Sequence, residues 1–174
     1  MYDSQPNERL VIGIDPGLAS LGYGIVAFRE GRLVYVTHGC IVTSPGQASG
    51  DRLLHIHKEL TSILELFKPT QGGMEDLYFF RNVSSALPVS EAKGVIKLAF
   101  RMASVELSEF SPNEIKKAVT GTARADKVQV QEMVKMLLGL DAIPSPDHAA
   151  DALAAAICRI HASGPLSGCF GMAQ

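Results

Sequence analysis

Leu10-Val11-Ile12-Gly13-Ile14-Asp15-Pro16-Gly17 is an apolar run that ends on a carboxylate and a Pro-Gly break, and Gly22-Tyr23-Gly24 follows it. The run reads as a buried strand, with Asp15 at its end and glycines nearby that allow another group to approach the backbone. A carboxylate fixed in that position is a natural metal ligand for phosphate chemistry. Its meaning depends on whether other elements bring partner ligands to the same place.

Two more strand-like runs follow, Tyr23 to Phe28 and Leu33 to Val42, separated by the polar turn Glu30-Gly31-Arg32. Together the three predict two hairpins. Leu53, Ile56, His57, Leu60, Ile63, Leu64 and Phe67 recur at three- and four-residue spacing and predict an amphipathic helix closed by Pro69. Gly72-Gly73-Met74-Glu75 predicts a short strand. A strand-helix-strand crossover favours parallel neighbours, so that strand is expected beside the first. A helical pattern covers about Ser84 to Ala103, with Pro88 near its start, and Val105 to Phe110 reads as a further strand. Ser111-Pro112-Asn113-Glu114 has the composition of a capping box and opens a helix through Val119. Asp126 begins another, to about Leu138. Ser145-Pro146-Asp147 is expected to cap the last helix, which runs through alanines to about His161. Hairpins followed by alternating helices and strands predict an α/β fold with a five-stranded mixed sheet flanked by helices.

The chain has 174 residues, 47% of them hydrophobic, which suits one sizeable core. The expected division is a flexible extension at residues 1–9, one domain over 10–162 and a loose Gly-rich tail at 163–174. No stretch approaches the roughly 20 apolar residues of a membrane span, and the polar first nine residues lack a signal-peptide run, so no membrane partner and a cytoplasmic location are expected. Cys40, Cys158 and Cys169 are odd in number and widely spaced, which predicts reduced thiols rather than a disulfide framework or a thiolate metal site. The formal net charge of -2 argues against a strongly basic nucleic-acid coat protein. Residues 81–135 nevertheless hold nine Lys or Arg and six acids, a bias that on charge alone is no more than an ordinary solvated surface.

Four candidate ligands come from three elements. Asp15 and Glu75 end strands, and His148 and Asp151 lie at i and i+3 near the start of the last helix, on one face. Asp147, four residues before Asp151, competes with His148. Acids in a first helical turn are favoured by the helix dipole regardless of function. Asp151, however, is set among alanines where burial is expected, and a buried carboxylate needs a cation or strong hydrogen bonds. Such an oxygen-rich set suits two-metal phosphodiester hydrolysis, with Mg2+ as the expected ion and Mn2+ able to substitute. After Glu75 come Tyr78, Phe79, Phe80 and Arg81, with Tyr78 the candidate for stacking on an unpaired base and Arg81 for pairing with phosphate. Lys116, Lys117, Arg124 and Lys127 surround the turn Thr120-Gly121-Thr122 and form a candidate phosphate footprint, balanced evenly against a solvated basic face.

Ile12-Gly13-Ile14-Asp15-Pro16-Gly17 with Gly22-Tyr23-Gly24, Glu75 followed by aromatics and Asn82, Ser85-Ala86-Leu87, Lys127-x-Gln129-Val130-Gln131, and His148-Ala149-Ala150-Asp151-Ala152-Leu153-Ala154 together resemble the RuvC family. The likeness runs in order from about residue 10 to 162. It implies an RNase H-like fold and a homodimeric Holliday-junction resolvase that nicks two opposed strands of four-way junction DNA. It also implies two Mg2+ per subunit and a RuvAB-type branch-migration complex as partner. The family's catalytic acids carry over to Asp15, Glu75 and Asp151. Its fourth position, commonly Asp, falls on His148, its basic contacts on Lys116 and Lys127, and its stacking aromatic on Tyr78. Actin-like and sugar-kinase ATPases also begin with a strand, an Asp and a Gly turn, but need a second glycine-rich phosphate loop that this chain lacks. A non-catalytic junction-binding scaffold and an RNase H-fold nuclease for another structured nucleic acid are the remaining alternatives.

Overall fold

The structure, a computed structural model, describes residues 8–76 and 83–163. Strands β1 (Arg9–Asp15), β2 (Ser20–Arg29) and β3 (Arg32–Val42) form an antiparallel meander. Glu30 and Gly31 join β2 to β3 with φ of 50° and 79°, the backbone that a two-residue hairpin turn requires. Helix α1 (Ser49–Phe67) ends at Lys68 in the left-handed region, whose N–H donates to the Leu64 carbonyl. It returns the chain to β4 (Gln71–Glu75), which pairs in parallel with β1 as expected. Helix α2 (Val83–Met102) then leads to β5 (Glu106–Phe110), parallel to β4. The five-stranded sheet therefore has the order β3-β2-β1-β4-β5.

Alternation along β1 divides the core. Leu10, Ile12 and Ile14 pack with Ile56, Leu60 and Leu64 of α1 and Ala92, Ile96 and Phe100 of α2. Val11 points to the other face, where α3 (Pro112–Thr120), α4 (Lys127–Leu138) and α5 (Asp147–Ala162) build a second cluster. Helices thus cover both faces. Capping boxes open α3 at Ser111 and Glu114 and α4 at Asp126 and Gln129. The start of α5 differs from expectation: Pro146 is the N-cap residue and no side-chain hydrogen bond caps the helix. The Asp147 side chain is turned instead toward α4.

β2 begins three residues before the expected Tyr23, because Ser20 to Gly22 pair with β3 and complete the ladder although they offer few strand-favouring side chains. The glycines serve α5. A Cβ on Gly13 would stand 1.9 Å from the Ala152 carbonyl oxygen, and one on Gly22 would stand 2.0 Å from that of His148. Glycine on the sheet and alanine on the helix bring the two backbones together, so α5 is buried along almost its whole length. Among the described residues no helix is long and apolar enough to cross a membrane. Cys40 and Cys158 are free thiols, and Cys169 lies outside the described residues.

Candidate active site

β1 and β4 run in parallel with Ile14 opposite Met74, so the last residues of the two strands, Asp15 and Glu75, stand at the same end of the sheet. The first turns of α5 arrive there because Gly22, opposite Asp15 in the β1–β2 ladder, lets the backbone of His148 rest on it. His148 Nδ1 stands 2.6 Å from Asp15 Oδ2. One turn on, Asp151 Oδ2 is 3.3 Å from Lys127 Nζ. Glu75 and Asp151 line a cavity of about 200 Å3 whose rim carries Lys116 from α3 and Lys127 from α4, with Ile115 and Val130 as apolar wall.

The two competitors at the head of α5 part company. His148 meets Asp15, whereas Asp147 accepts hydrogen bonds from Lys127 Nζ at 3.0 Å and from Gln131 Nε2 at 3.2 Å. Those bonds, led by the Lys127 contact, hold the Asp147 carboxyl below the usual carboxylate range. Lys127 touches both Asp147 and Asp151, and its own pKa is raised by them.

The inner acids shift the other way. Burial raises the Asp15 pKa, the hydrogen bond from His148 offsets part of this, and the Asp151 charge raises it again. Burial, followed by the charges of Asp15 and Asp151, pushes Glu75 up to about 7, against the pull of Lys116 and Lys127. Both shifts are led by burial, with the mutual repulsion of the acids adding to it. Among the described residues no three His, Cys, Asp or Glu side chains stand close enough together to hold an ion. Lys127 lies against Asp151 and His148 against Asp15, where an external cation would otherwise compensate them. Carboxylate oxygens with one imidazole are a donor set that suits a hard divalent cation.

Of the sequence candidates, the structure pairs Asp15 with His148 and gathers Glu75, Asp151, Lys116 and Lys127 around the cavity beside them. Lys117 and Arg124 are exposed and are not among the residues lining the cavity. Tyr78 and Arg81 lie outside the described residues. Two roles near the site escaped the sequence reading: that of Gln131, quoted there only within a motif and buried under Asp147, and that of Lys93 on α2. Lys93 carried a usable signal, since 93, 96 and 100 share a helix face with the buried Ile96 and Phe100, and a lysine there needs a carboxylate.

A mixed sheet of this order with helices on both faces, acids on the ends of adjacent parallel strands and the last helix aimed at them, defines an RNase H-like protein with a nuclease-type acidic site. The family model described as "Crossover junction endodeoxyribonuclease RuvC" matches residues 11–159, and the chain belongs to the RuvC family. Its similarity to the crossover junction endodeoxyribonuclease RuvC of Treponema denticola is 53% identity over 151 residues, covering 87% of this chain and 85% of the relative. The Thermus thermophilus RuvC structure superposes with a TM-score of 0.82 at 32% identity, covering 88% of this chain and 95% of that one. A T. thermophilus RuvC in complex with a Holliday junction substrate gives 0.82 at 31% identity, over 88% of this chain and 94% of that one.

Proposed function

We propose that this chain is a structure-specific endonuclease that resolves four-way Holliday junctions by paired nicks, hydrolysing phosphodiesters in homologous recombination and DNA repair. The observation that carries the reading is the meeting of Asp15 and Glu75, from adjacent parallel strand ends, with His148 and Asp151 of α5 beside two lysines. The family match over residues 11–159 and the likeness to a RuvC bound to a Holliday junction supply the substrate class.

Asp15, Glu75, His148 and Asp151 are the residues that would hold divalent cations, two Mg2+ per subunit with Mn2+ able to substitute. When bound, such ions supply Lewis acidity toward water and phosphate. The chain's own residues prepare the rest. Lys116 and Lys127, on the rim of the cavity, attract the phosphodiester backbone, and Lys117 and Arg124 extend that charge along the turn between α3 and α4. The hydrogen bond to Asp15 fixes the orientation of the His148 ring, so that its Nε2 is free to point elsewhere. The apolar wall of Ile115 and Val130 limits water around Glu75 and Asp151. Tyr78 and Arg81, which follow Glu75 in sequence, are assigned to stacking on an unpaired base and to phosphate pairing.

A homodimer matches the symmetry of the substrate, because two copies related by a two-fold axis present two sites to opposed strands of one junction. A cytoplasmic location and a RuvAB-type branch-migration partner complete the proposal. The test is a synthetic mobile four-way junction incubated with wild-type protein and Asp15→Asn in Mg2+ and in Mn2+, with binding measured and both nicks mapped. The expected result is two symmetric nicks from the wild type and binding without cleavage from the variant. Normal nicking by Asp15→Asn would remove the metal-site assignment, and binding without nicks by the wild type would favour the scaffold.

A further inference from the structure

Lys93 is a lysine only 9% exposed, on the inner side of α2. Its Nζ donates to Asp76 Oδ1 at 2.7 Å and meets Glu109 Oε2 of β5, also at 2.7 Å. Glu109 has a second cation, Lys97 Nζ at 2.6 Å. Burial lowers the Lys93 pKa, but the two carboxylates more than offset it and the net shift is upward. The ammonium is charged and bridges two carboxylates.

Asp76 directly follows Glu75. Its backbone N–H donates to the Phe110 carbonyl at 2.7 Å, extending the β4–β5 ladder by one bond, while its side chain is held by α2. The carboxylate itself has no need of this pairing for solvation, since 44% of the Asp76 side chain is exposed. Nor does core stability explain a buried ammonium, because an apolar side chain of similar volume commonly serves as well. What the charge supplies is a fixed point immediately after Glu75. Glu75 is the last residue of β4, so how firmly Asp76 is held decides how firmly the strand end holds the Glu75 carboxylate.

We infer that Lys93 is a positioning residue for phosphodiester cleavage, clamping Asp76 between α2 and β5 so that the end of β4 holds the Glu75 carboxylate in the acidic cluster. This inference rests on the reading of Glu75 as a catalytic acid. A misplacement of the order of 1 Å in such a group costs roughly 100-fold in rate, so the clamp has kinetic leverage without touching DNA.

The experiment compares wild type, Lys93→Met, Lys93→Arg, Asp76→Asn, the Lys93→Met/Asp76→Asn double variant and Glu75→Gln as full chains. Junction binding without divalent cation, single-turnover cleavage across Mg2+ concentrations, and thermal melting are measured. Lys93→Met and Asp76→Asn are each expected to bind the junction within about 2-fold of wild type but to cleave about 10- to 100-fold more slowly. The double variant is expected to be no slower than the worse single, because the two residues act through one contact. Lys93→Arg should recover most of the rate. Glu109 keeps Lys97 when Lys93 is replaced, which favours folding of Lys93→Met; if that variant nevertheless fails to fold, Asp76→Asn decides alone. Wild-type cleavage by Asp76→Asn, with Glu75→Gln inactive, overturns the clamp and leaves the catalytic reading intact. Normal cleavage by Glu75→Gln overturns the catalytic reading itself.

Discussion

Asp147 and His148 are consecutive, polar and at the head of one helix, yet they face different partners. A helical step of about 100° separates their directions. His148 reaches Asp15, while Asp147 binds Lys127 and the buried Gln131, tying α4 to α5. The competition left open by spacing is thus a division of roles in which Asp147 places a lysine and His148 faces the inner acid. His148→Ala is expected to slow nicking on the order of 100-fold, since it removes a donor that contacts Asp15 directly. Asp147→Ala should cost about 10-fold, the lower end of the range for outer partners that only orient a site. Single-turnover rates on a pre-bound junction make the comparison. If Asp147→Ala were the slower variant, the fourth ligand position would move to Asp147.

At the scale of elements, α5 is the part that assembles the site, and the sheet receives it on glycine. The backbone contact at Gly22 sets the height of His148 above Asp15, and that at Gly13 sets the next turn through Ala152. Gly22→Ala is therefore expected to cost about 1–3 kcal/mol of stability by overpacking and to lower cleavage further than that loss explains. Denaturant melts and nicking rates measured on the same samples check this, with undiminished cleavage by a destabilised variant as the contrary result. The elements were largely legible in the sequence. The 3.6-residue period of α1, the composition of the Ser111 and Asp126 caps and the turn at Gly31 each have one dominant local cause. The Ser20–Gly22 segment of β2 was not legible, because a serine and a glycine that makes room for a helix carry no strand signal of their own. The start of α5 was misread for a related reason: the serine before Pro146 has the right composition for a cap, but the orientation of Asp147 is decided by Lys127 and Gln131 on another helix.

Over the whole molecule, strand ends and helix starts from distant parts of the chain concentrate acids at one end of the central strands. The acids could be found from their places in apolar elements, and the helix period shows that Lys93 needs a carboxylate, but which acids Lys127 and Lys93 meet depends on tertiary packing. This concentration sets the stability as well as the chemistry. Glu75 titrates near 7 in the folded protein against an ordinary value of 4.5, so between those limits the native state binds more protons than the unfolded chain. Stability from this group is present at low pH and is lost as pH rises through about 7. Asp76 and Glu109 shift oppositely, with pKa values lowered from 3.8 and 4.5; their contribution is lost only as pH falls below that region, outside the Glu75 window. The metal-free protein should therefore lose melting temperature between pH 5 and pH 8 relative to Glu75→Gln, by on the order of 2–4 °C for each kcal/mol involved. At pH 8 the variant should melt higher than wild type without divalent cation. Mg2+ should raise the wild-type melting temperature more than that of the variant, because an ion bound by the native acids stabilises by mass action and Glu75→Gln removes one of those acids. Melting curves of both proteins at pH 5 and pH 8, with and without Mg2+, separate the possibilities: parallel pH profiles would show that Glu75 keeps an ordinary pKa, and equal responses to Mg2+ would show that Glu75 does not help hold the ion.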